Sequence, residues 1–504
     1  MKLNKLNWQH LAILLCLIYV IILYRNAWIG DDAYITFRTV DNFINGFGLT
    51  WNVTERVQAY THPLWMFLIS SIYWITREVF YSSIFLSIII SVLTVCLLAF
   101  RMAKSSYVSC IAVIAFILSK AFIDYSTSGL ENPLSHLLAV IFFMVFLTRP
   151  LEKKTIIILS LIAALAGLNR MDCLLIYFPV FVYLLWKDFR LRNLAYIFLG
   201  FLPLLIWELF SLFYYGFLFS NTAYAKLSAC VTRTDLIEQG LYYIWSSVKV
   251  DPVTIIIIIA GIIIPLVTKK WRLLLITGGV ILYLLYVVWI GGCFMSGRFL
   301  TIPFILSVII LSQYRFERPN AGWWLPGIII LIVGLSVKLS PVYTNAEYGI
   351  DDQYGNFGGG VVDERGCYCQ SSSLLNISKD EPMPAHRYAR LGRTQRIPIT
   401  IRSTIGYYGY YAGPDTYIID LYGLANPLLA RLPCDTTMTW RIGHNIKAVP
   451  EGYPETILSG KNLIKDKKIA AYYEKLSFIV SGDLFNWDRI VTILKFNLGF
   501  YNLE

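Results

Sequence analysis

Charged residues are scarce in this sequence. They make up 15% of its 504 residues, whereas 57% are hydrophobic, and the mean hydropathy is +0.59. Soluble domains carry about 25% charged residues, so this composition excludes the ordinary soluble class and indicates a polytopic membrane protein. The net charge of +11 comes from Lys and Arg residues in short clusters between apolar runs. That distribution indicates membrane topology and argues against nucleic-acid binding.

Several motifs of soluble-enzyme chemistry are also missing. The sequence has no phosphate-cradling Gly-Lys-Ser/Thr loop, no paired Cys and His spacing for a metal, and no Gly-x-Ser-x-Gly elbow. ATP hydrolysis, zinc chemistry and serine hydrolysis are therefore without support. No pair of broken helices in matching halves suggests an inverted-repeat transporter.

Eleven apolar runs are predicted to be membrane-spanning helices. They lie near residues 8–28, 82–100, 107–123, 133–148, 155–169, 173–186, 194–213, 253–268, 273–290, 299–313 and 322–339. The first run follows Lys2 and Lys5 without a small-x-small cleavage site, which predicts an uncleaved helix. With the N-terminus in the cytoplasm, the Lys and Arg clusters fall inside if the 63–75 run lies in the interface without crossing.

This topology places the C-terminus outside the membrane. The alternating run 416–420 predicts a strand, so the polar tail is expected to be a mixed α/β domain. We thus predict a polytopic α-helical membrane protein with a catalytic transmembrane domain over 1–339 and an extracytoplasmic domain over 340–504. The first external loop spans 29–62, and an interfacial helix spans 63–78.

Two adjacent carboxylates, Asp31 and Asp32, follow the first span directly. Residues 33–44 contain no helix breaker, so the pair is expected in the first turn of a short helix. Adjacent residues on a helix point about 100° apart, so both acids cannot serve one reacting atom. One is expected to act as a general base while the other fixes the loop. Helix capping with a salt bridge to Arg38 is the structural alternative.

Further polar residues fall on the same predicted outer face. The cations fit an anionic lipid phosphate and are Arg38, His62, Arg170, Lys226 and Arg298. Near or within spans, Glu131 with Asn132 and Arg170 with Asp172 are expected to form inward-facing networks, because unpaired charge is costly there. Tyr60 and Tyr224 suit a sugar face or an isoprenoid groove, and an interfacial aromatic belt is the alternative.

The chain resembles membrane glycosyltransferases of the GT-C superfamily, most closely the terminal β-(1→2)-arabinofuranosyltransferases of actinobacterial cell walls. The segments that carry the resemblance are Gly30-Asp31-Asp32-Ala33-Tyr34, Tyr60-Thr61-His62-Pro63, Ser128-Gly129-Leu130-Glu131, Asn221-Thr222-Ala223-Tyr224-Ala225-Lys226, Gly297-Arg298-Phe299, Val362-Asp363-Glu364-Arg365 and Arg441-Ile442-Gly443-His444.

The resemblance implies a GT-C fold in a bacterial inner membrane and an inverting transfer on its outer face. The donor would be a polyprenyl-phosphate-linked sugar, D-arabinofuranose, and the acceptor a pilin, a polysaccharide or a lipid glycan. Asp31 would be the base, supported by Asp32. His62, Arg170, Lys226, Arg298 and Tyr60 would bind the donor phosphate and lipid. The supporting residues would be Arg38, Glu131, Asp172, Asn221 and Tyr224.

Some questions stay open at this stage. Cys293 stands where the family pattern has an acid, which leaves the sugar contacts there unassigned. Two adjacent carboxylates offer too few oxygen ligands for an ordinary hard-cation site, so no metal ligand is assigned and a divalent cation stays open. Cys434 pairing with Cys367 or Cys369 is also open. A flippase or exporter of lipid-linked sugars is the alternative function.

Overall fold

A computed structural model describes residues 8–227, 231–315, 324–344, 348, 357, 359–435 and 441–503. Lys2 and Lys5 lie outside the described residues. The described chain is largely helical, with one two-stranded sheet among the residues described.

The helices before residue 340 are mostly apolar. They are α1 (Trp8–Arg25), α2 (Asp31–Ile44), α3 (Pro63–Thr76), α4 (Phe80–Leu97), α5 (Ser106–Leu118), α6 (Lys120–Asp124), α7 (Asn132–Thr148), α8 (Lys153–Asn169), α9 (Leu174–Lys187), α10 (Leu191–Tyr214), α11 (Asn221–Leu227), α12 (Arg233–Val250), α13 (Pro252–Thr268), α14 (Trp271–Trp289), α15 (Thr301–Ser312) and α16 (Trp324–Ser336).

The elements after residue 340 are shorter. They are α17 (Glu364–Ser372), α18 (Arg387–Thr394), β1 (Ile399–Arg402), α19 (Gly406–Ala412), β2 (Tyr417–Asp420), α20 (Tyr453–Ser459), α21 (Lys467–Ser481) and α22 (Trp487–Asn497). The strand predicted over 416–420 is confirmed as β2.

Each of the eleven apolar runs overlaps at least one described helix, and residues 322 and 323 of the last run lie outside the described residues. Among the described residues, four helices are both long and apolar enough to span a bilayer: α1, α4 with the turn that follows it, α10 and α14. The chain is therefore a helical membrane protein. The number of eleven crossings, the GT-C architecture and the side of the membrane on which the tail lies stay predictions.

Two helical runs differ from expectation. The 107–123 run breaks at Ser119, whose hydroxyl accepts the Phe122 N–H at 3.1 Å and starts α6. The polar helix α12 was missed, and it meets α13 at a bend of 114°. The bend falls at Asp251, whose carboxylate accepts the Thr254 N–H at 3.2 Å. The charged residues of α12 explain why hydropathy did not identify it.

The backbone packs into two compact units, each built from three stretches of chain. The first unit comprises Met1–Gly30, Ser83–Pro203 and Thr232–Asp380, and the second comprises Asp31–Ser82, Leu204–Val231 and Glu381–Glu504. Such packing units do not test a boundary drawn between a transmembrane and an extracytoplasmic part. The division at residue 339 therefore stays a prediction.

The second unit contains a small parallel sheet. Strands β1 and β2 pair with Ile399 opposite Tyr417, and α19 connects them. Helix α19 packs on α2 so closely that a Cβ at Gly406 would lie 1.8 Å from the Asp31 carbonyl oxygen. Only glycine fits at that contact, which fixes the start of α19 against the start of α2.

The first unit is a packed helical assembly in which α1 contacts α5, α9 contacts α14, and α13 contacts α15. Cys369, within this unit, donates its thiol to the Tyr348 carbonyl oxygen at 2.7 Å. Cys367, Cys369 and Cys434 are thiols in the described structure, and no disulfide joins them there.

Candidate active site

The acid pair lies at the N-terminus of α2, as the sequence predicts. Asp31 is buried, and its two oxygens accept the Tyr407 N–H at 2.8 Å and the Gly406 N–H at 3.0 Å. Those amides open α19, so Asp31 caps a helix that lies 375 residues further along the chain. Both of its oxygens are thus engaged by the protein.

Burial dominates the protonation of Asp31. It raises the pKa of the carboxyl to about 7, the negative charge of Asp32 adds to the rise, and the two amide hydrogen bonds oppose it. Asp31 therefore binds a proton near neutral pH. A carboxyl group with that pKa could exchange protons with a substrate, but both oxygens of Asp31 face α19.

Asp32 is less buried than Asp31 and points about 100° away from it around α2. One turn later on the same face lies Thr36, whose hydroxyl is 2.8 Å from His62 Nε2. His62 immediately precedes α3. Asp32 therefore lies on the same face of α2 as Thr36, the residue that contacts His62, whereas Asp31 faces α19.

Arg38 is buried within the frame of the second unit. Its guanidinium donates to the carbonyl oxygens of Trp51 at 2.8 Å, Gly409, and Thr416 at 2.9 Å, and stacks 4.5 Å from the Trp51 ring. Burial lowers the pKa of Arg38 to about 9. These three acceptors give Arg38 a structural role in the described chain.

Asn221 also holds backbone. Its amide donates to the carbonyl oxygens of Gly423 at 2.8 Å, Leu424 at 3.2 Å and Asn426 at 3.1 Å, in the loop that follows β2. Its oxygen accepts from Arg431 at 3.0 Å. The hydrogen bonds of Asn221 are thus made to other protein groups, and they hold the loop that follows β2 in place.

The two predicted aromatic contacts are internal in the structure. The Tyr60 hydroxyl is 2.9 Å from the Tyr215 hydroxyl, and its ring centroid is 6.5 Å from that of His62. The Tyr224 ring lies 4.7 Å from the Arg431 guanidinium. Tyr60 thus lies beside His62, and Tyr224, within α11, lies against Arg431.

Sequence reasoning did not assign a role to Asp420, at the end of β2. This buried carboxylate accepts the Tyr422 N–H at 2.9 Å and the Ala425 N–H at 3.0 Å, which shapes the loop held by Asn221. Burial raises its pKa to about 6, and the charge of Asp32 contributes to the rise. Asp32 and Asp420 are therefore electrostatic neighbours.

Cationic side chains lie close to the loop that follows β2. The His444 ring lies 4.8 Å from the Tyr422 ring, and its Nε2 is 3.0 Å from the Arg441 guanidinium. Burial, Arg441 and the ammonium of Lys226 lower the pKa of His444 to about 3. Lys226 and Arg441 are thus brought near one neutral imidazole. The segment containing Arg441 and His444 was part of the sequence resemblance, which was the available signal.

The first unit contains the predicted buried network around Glu131. Glu131 accepts from Arg298 at 2.9 Å and from Arg170 at 3.2 Å, and Arg170 also pairs with Asp172. The Tyr283 hydroxyl donates to Asp172 at 3.0 Å. The expected inward-facing network is confirmed. It matches two guanidiniums with two carboxylates.

A second ionic cluster in the first unit was not predicted. Lys120 contacts Asp124 and Asp363, the latter at 3.0 Å, and Arg365 binds Asp124 at 2.9 Å. Tyr348 donates to Asp363. Burial opposes ionisation of Asp363, but Lys120 and Tyr348 outweigh it and hold its pKa below the usual value. The cluster ties the start of α17 to α6.

Cys293, which replaces an expected acid, is buried in the turn after α14. Its sulfur accepts the Met295 N–H at 3.4 Å. Across the described residues, no three His, Cys, Asp or Glu side chains are grouped as metal ligands. The requirement for a divalent cation therefore stays open.

The residues expected from sequence are divided between the two units. Those in the second unit are Asp31, Asp32, Arg38, Tyr60, His62, Asn221, Tyr224 and Lys226; those in the first are Glu131, Arg170, Asp172 and Arg298. Within the second unit, some of these residues lie on the face of α2 that carries Asp32 or beside the loop that follows β2. Within the first unit, all four form one ionic network.

The chain is similar in sequence to two proteins of known activity, although no family model matches it. The terminal beta-(1->2)-arabinofuranosyltransferase of Mycobacterium tuberculosis is 25% identical, over 85% of this chain and 82% of that protein. The protein of the same name from Corynebacterium glutamicum is 26% identical, over 71% of this chain and 57% of that protein.

Among solved structures, the chain is similar to ArnT from Cupriavidus metallidurans bound to undecaprenyl phosphate. The TM-score is 0.46 and the identity 13%, over 83% of this chain and 76% of that one. The two sequence matches confirm the resemblance predicted from the motifs, which is to the terminal β-(1→2)-arabinofuranosyltransferases, and they support a glycosyltransferase activity for the chain.

Proposed function

We propose that this chain transfers a sugar, D-arabinofuranose, from a polyprenyl-phosphate donor to an extracytoplasmic acceptor with inversion at the anomeric carbon. The acceptor class stays a pilin, a polysaccharide or a lipid glycan. The sequence relatives support the sugar, since both are named for arabinofuranosyl transfer. No soluble nucleotide sugar is needed for such a reaction.

The proposal rests on the different surroundings of the two adjacent acids, Asp31 and Asp32. Asp31 accepts two amides at the start of α19, whereas Asp32 lies on the face of α2 that carries Thr36, whose hydroxyl contacts His62. We therefore assign the base to Asp32 and the positioning role to Asp31. This assignment exchanges the roles that the resemblance implied, because a general base must reach a substrate proton.

The chemistry is a single displacement. The acceptor hydroxyl oxygen forms a bond to the anomeric carbon while the bond from that carbon to the phosphate oxygen breaks. Asp32 takes the hydroxyl proton, and polyprenyl phosphate leaves with the electron pair. A retaining route would need a second carboxylate as nucleophile, and Asp31 is occupied by α19.

The leaving phosphate gains negative charge, so fixed donors near it lower the barrier. We propose His62 and Lys226 for this role in the second unit, and Arg441 beside them. Lys226 is exposed and acts electrostatically on His444, which is consistent with a cationic surface in the same region.

We also propose Arg170 and Arg298 as donor-binding residues. Each already faces Glu131, and Asp172 balances the second positive charge. An anion would therefore have to compete with a carboxylate at this network. We propose that Arg298 makes the contact, because its side chain is 14% exposed whereas that of Arg170 is 9% exposed.

The proposed orientation follows the positive-inside assignment. Eleven crossings in a GT-C architecture would place the acid pair and the C-terminal mixed α/β domain on the outer face of a bacterial inner membrane. The donor lipid would then enter from the bilayer, and the acceptor from the aqueous side.

The test compares carboxamide variants of the full chain in proteoliposomes supplied with radiolabelled polyprenyl-phosphate-arabinofuranose and acceptor membranes. Asp32→Asn should lower turnover about 10²- to 10⁴-fold with unchanged thermal stability, as expected for a general base. Asp41→Asn is the matched control on the same helix, because Asp41 binds Tyr73 and Asn45 at 2.6 and 2.9 Å.

Each result has a defined meaning. Full turnover in Asp32→Asn with complete loss in a stable Asp31→Asn would return the base to Asp31. No transfer by the wild type would reject this donor. Movement of intact donor across the bilayer without transfer would instead favour the flippase alternative.

A further inference from the structure

The last helix, α22, has an apolar face that no described part of the chain covers. The exposed side chains of Trp487 and Leu494, and of Leu498 directly after the helix, follow helical spacing, with Val491 between them partly exposed. Phe485 and Phe500 extend the same apolar character beyond both ends. The exposed fractions are 83% for Phe485, 72% for Trp487, 51% for Leu494, 73% for Leu498 and 70% for Phe500.

The opposite face of α22 is fixed to its own unit. Ile493 is buried in a core that also contains Ile479 and Leu476 of α21, and Phe496 packs against it. The apolar residues of α22 therefore serve two surfaces. One belongs to the interior, and the other remains at the surface of the second unit.

Arg489 attaches α22 to the end of α10. This fully buried guanidinium donates to the carbonyl oxygens of Phe213 and Tyr214, both at 2.9 Å, and to that of Ile479 at 2.7 Å. It thereby satisfies the last carbonyls of α10. Asn497 adds a bond to the Gly216 carbonyl oxygen at 2.8 Å.

Helix α10 is long and apolar enough to span the bilayer, and it exposes Leu205, Ile206 and Leu209. The end of a spanning helix lies at the membrane surface. The ring of Phe213, near that end, lies 5.6 Å from the ring of Phe485. The exposed apolar surface of α10 therefore continues onto α22.

From this continuity we infer that α22 lies in the bilayer interface, with the face of Trp487, Leu494 and Leu498 inserted at the boundary between headgroups and acyl chains. Aromatic side chains favour that depth, and the exposed Lys495 can extend its ammonium to lipid phosphates. The partner of this surface is lipid. The anchor would fix the second unit against the leaflet in which α10 ends, independently of the reaction that the protein performs.

Photocrosslinking from single positions tests this inference. Benzoylphenylalanine is placed at Leu494 or Leu498 in the full chain, which is reconstituted in nanodiscs containing alkyne-tagged phosphatidylglycerol. Ile206 is the positive control on α10. Glu474 is the matched control, because it is an exposed residue of the neighbouring helix α21.

We expect lipid adducts at Leu494 and Leu498 at the level seen for Ile206, and several-fold less adduct at Glu474. Adducts at Ile206 alone would overturn the inference. Adducts from Leu494 to a second copy of the chain would also overturn it and assign the face to dimerisation. If the Leu494 variant does not fold, Leu498 decides, because it lies beyond the last residue of α22.

Discussion

Replacing Arg38 distinguishes a structural guanidinium from one that binds donor phosphate. The structure gives Arg38 three carbonyl acceptors and a stacking contact with Trp51. In Arg38→Met the side chain keeps much of its length but donates no hydrogen bond. The buried oxygens of Gly409 and Thr416 then lose the guanidinium as donor, whereas that of Trp51 still accepts from the Asn42 amide at 3.1 Å.

The magnitude follows from these lost bonds. An unsatisfied buried polar group costs about 1 to 3 kcal/mol, so the oxygens of Gly409 and Thr416 give about 2 to 6 kcal/mol, while that of Trp51 keeps the Asn42 amide. Loss of the stacked cation adds about 1 kcal/mol. Entry of water would reduce the total, which we place near 3 to 6 kcal/mol. That loss is a large part of the roughly 5 to 15 kcal/mol that stabilises a typical domain.

Scanning fluorimetry of the detergent-solubilised protein measures the effect. Arg38→Met should unfold at a clearly lower temperature than wild type, and Arg38→Lys should do so as well, because one ammonium cannot reproduce the planar fork. A phosphate-binding role predicts a different result. Wild-type unfolding temperatures in both variants, with a raised KM for the donor in Arg38→Met alone, would refute the structural reasoning.

Three further predictions concern the acid pair and the ionic network. Gly406→Ala should destabilise the protein by about 1 to 3 kcal/mol, because its Cβ would meet the Asp31 carbonyl oxygen at 1.8 Å; an unchanged unfolding temperature would contradict the close packing. Glu131→Gln should lower the free energy of unfolding by about 3 to 5 kcal/mol, because Arg298 and Arg170 both lose their buried carboxylate partner. A wild-type melting curve would contradict this. The pKa of Asp31 in the folded state, about 7, exceeds its value in the unfolded chain, so the folded state holds an extra proton between about pH 4 and 7. The contribution of Asp31 to folding stability therefore falls by a few kcal/mol as the pH rises through that window. Unfolding temperatures measured from pH 5 to 8 should therefore fall more in wild type than in Asp31→Asn, and parallel profiles would contradict the shift.

Local sequence patterns predicted the helices well. Hydropathy identified eleven apolar runs that are helical, because a span must be long and apolar whatever it packs against. Alternation identified β2, and the cost of unpaired charge predicted the network around Glu131. Hydropathy missed α12, since its charged side chains resemble those of a loop.

Local sequence patterns could not predict the partners of the buried polar groups. Asp31 binds amides 375 and 376 residues away, and Arg38 binds carbonyls 371 and 378 residues away. No local periodicity encodes such pairs. The cluster of Lys120, Asp124 and Arg365 was not predicted for the same reason: Lys120 and Asp124 are one helical turn apart, but Arg365 lies 241 residues from Asp124 and joins them only after folding.

Adjacent acids at a helix start gain different roles from helical geometry alone. Because neighbouring residues diverge by about 100°, a helix that buries one carboxylate against α19 must turn the next one away from it. Asp31 meets two amides there, so Asp32 is directed to the face of Thr36. A substitution that loosened α19 would therefore move Asp32 as well, since both acids share the first turn of α2. On this reasoning the two carboxamide variants should differ in kind: Asp32→Asn removes a proton acceptor, whereas Asp31→Asn changes how firmly that acceptor is held.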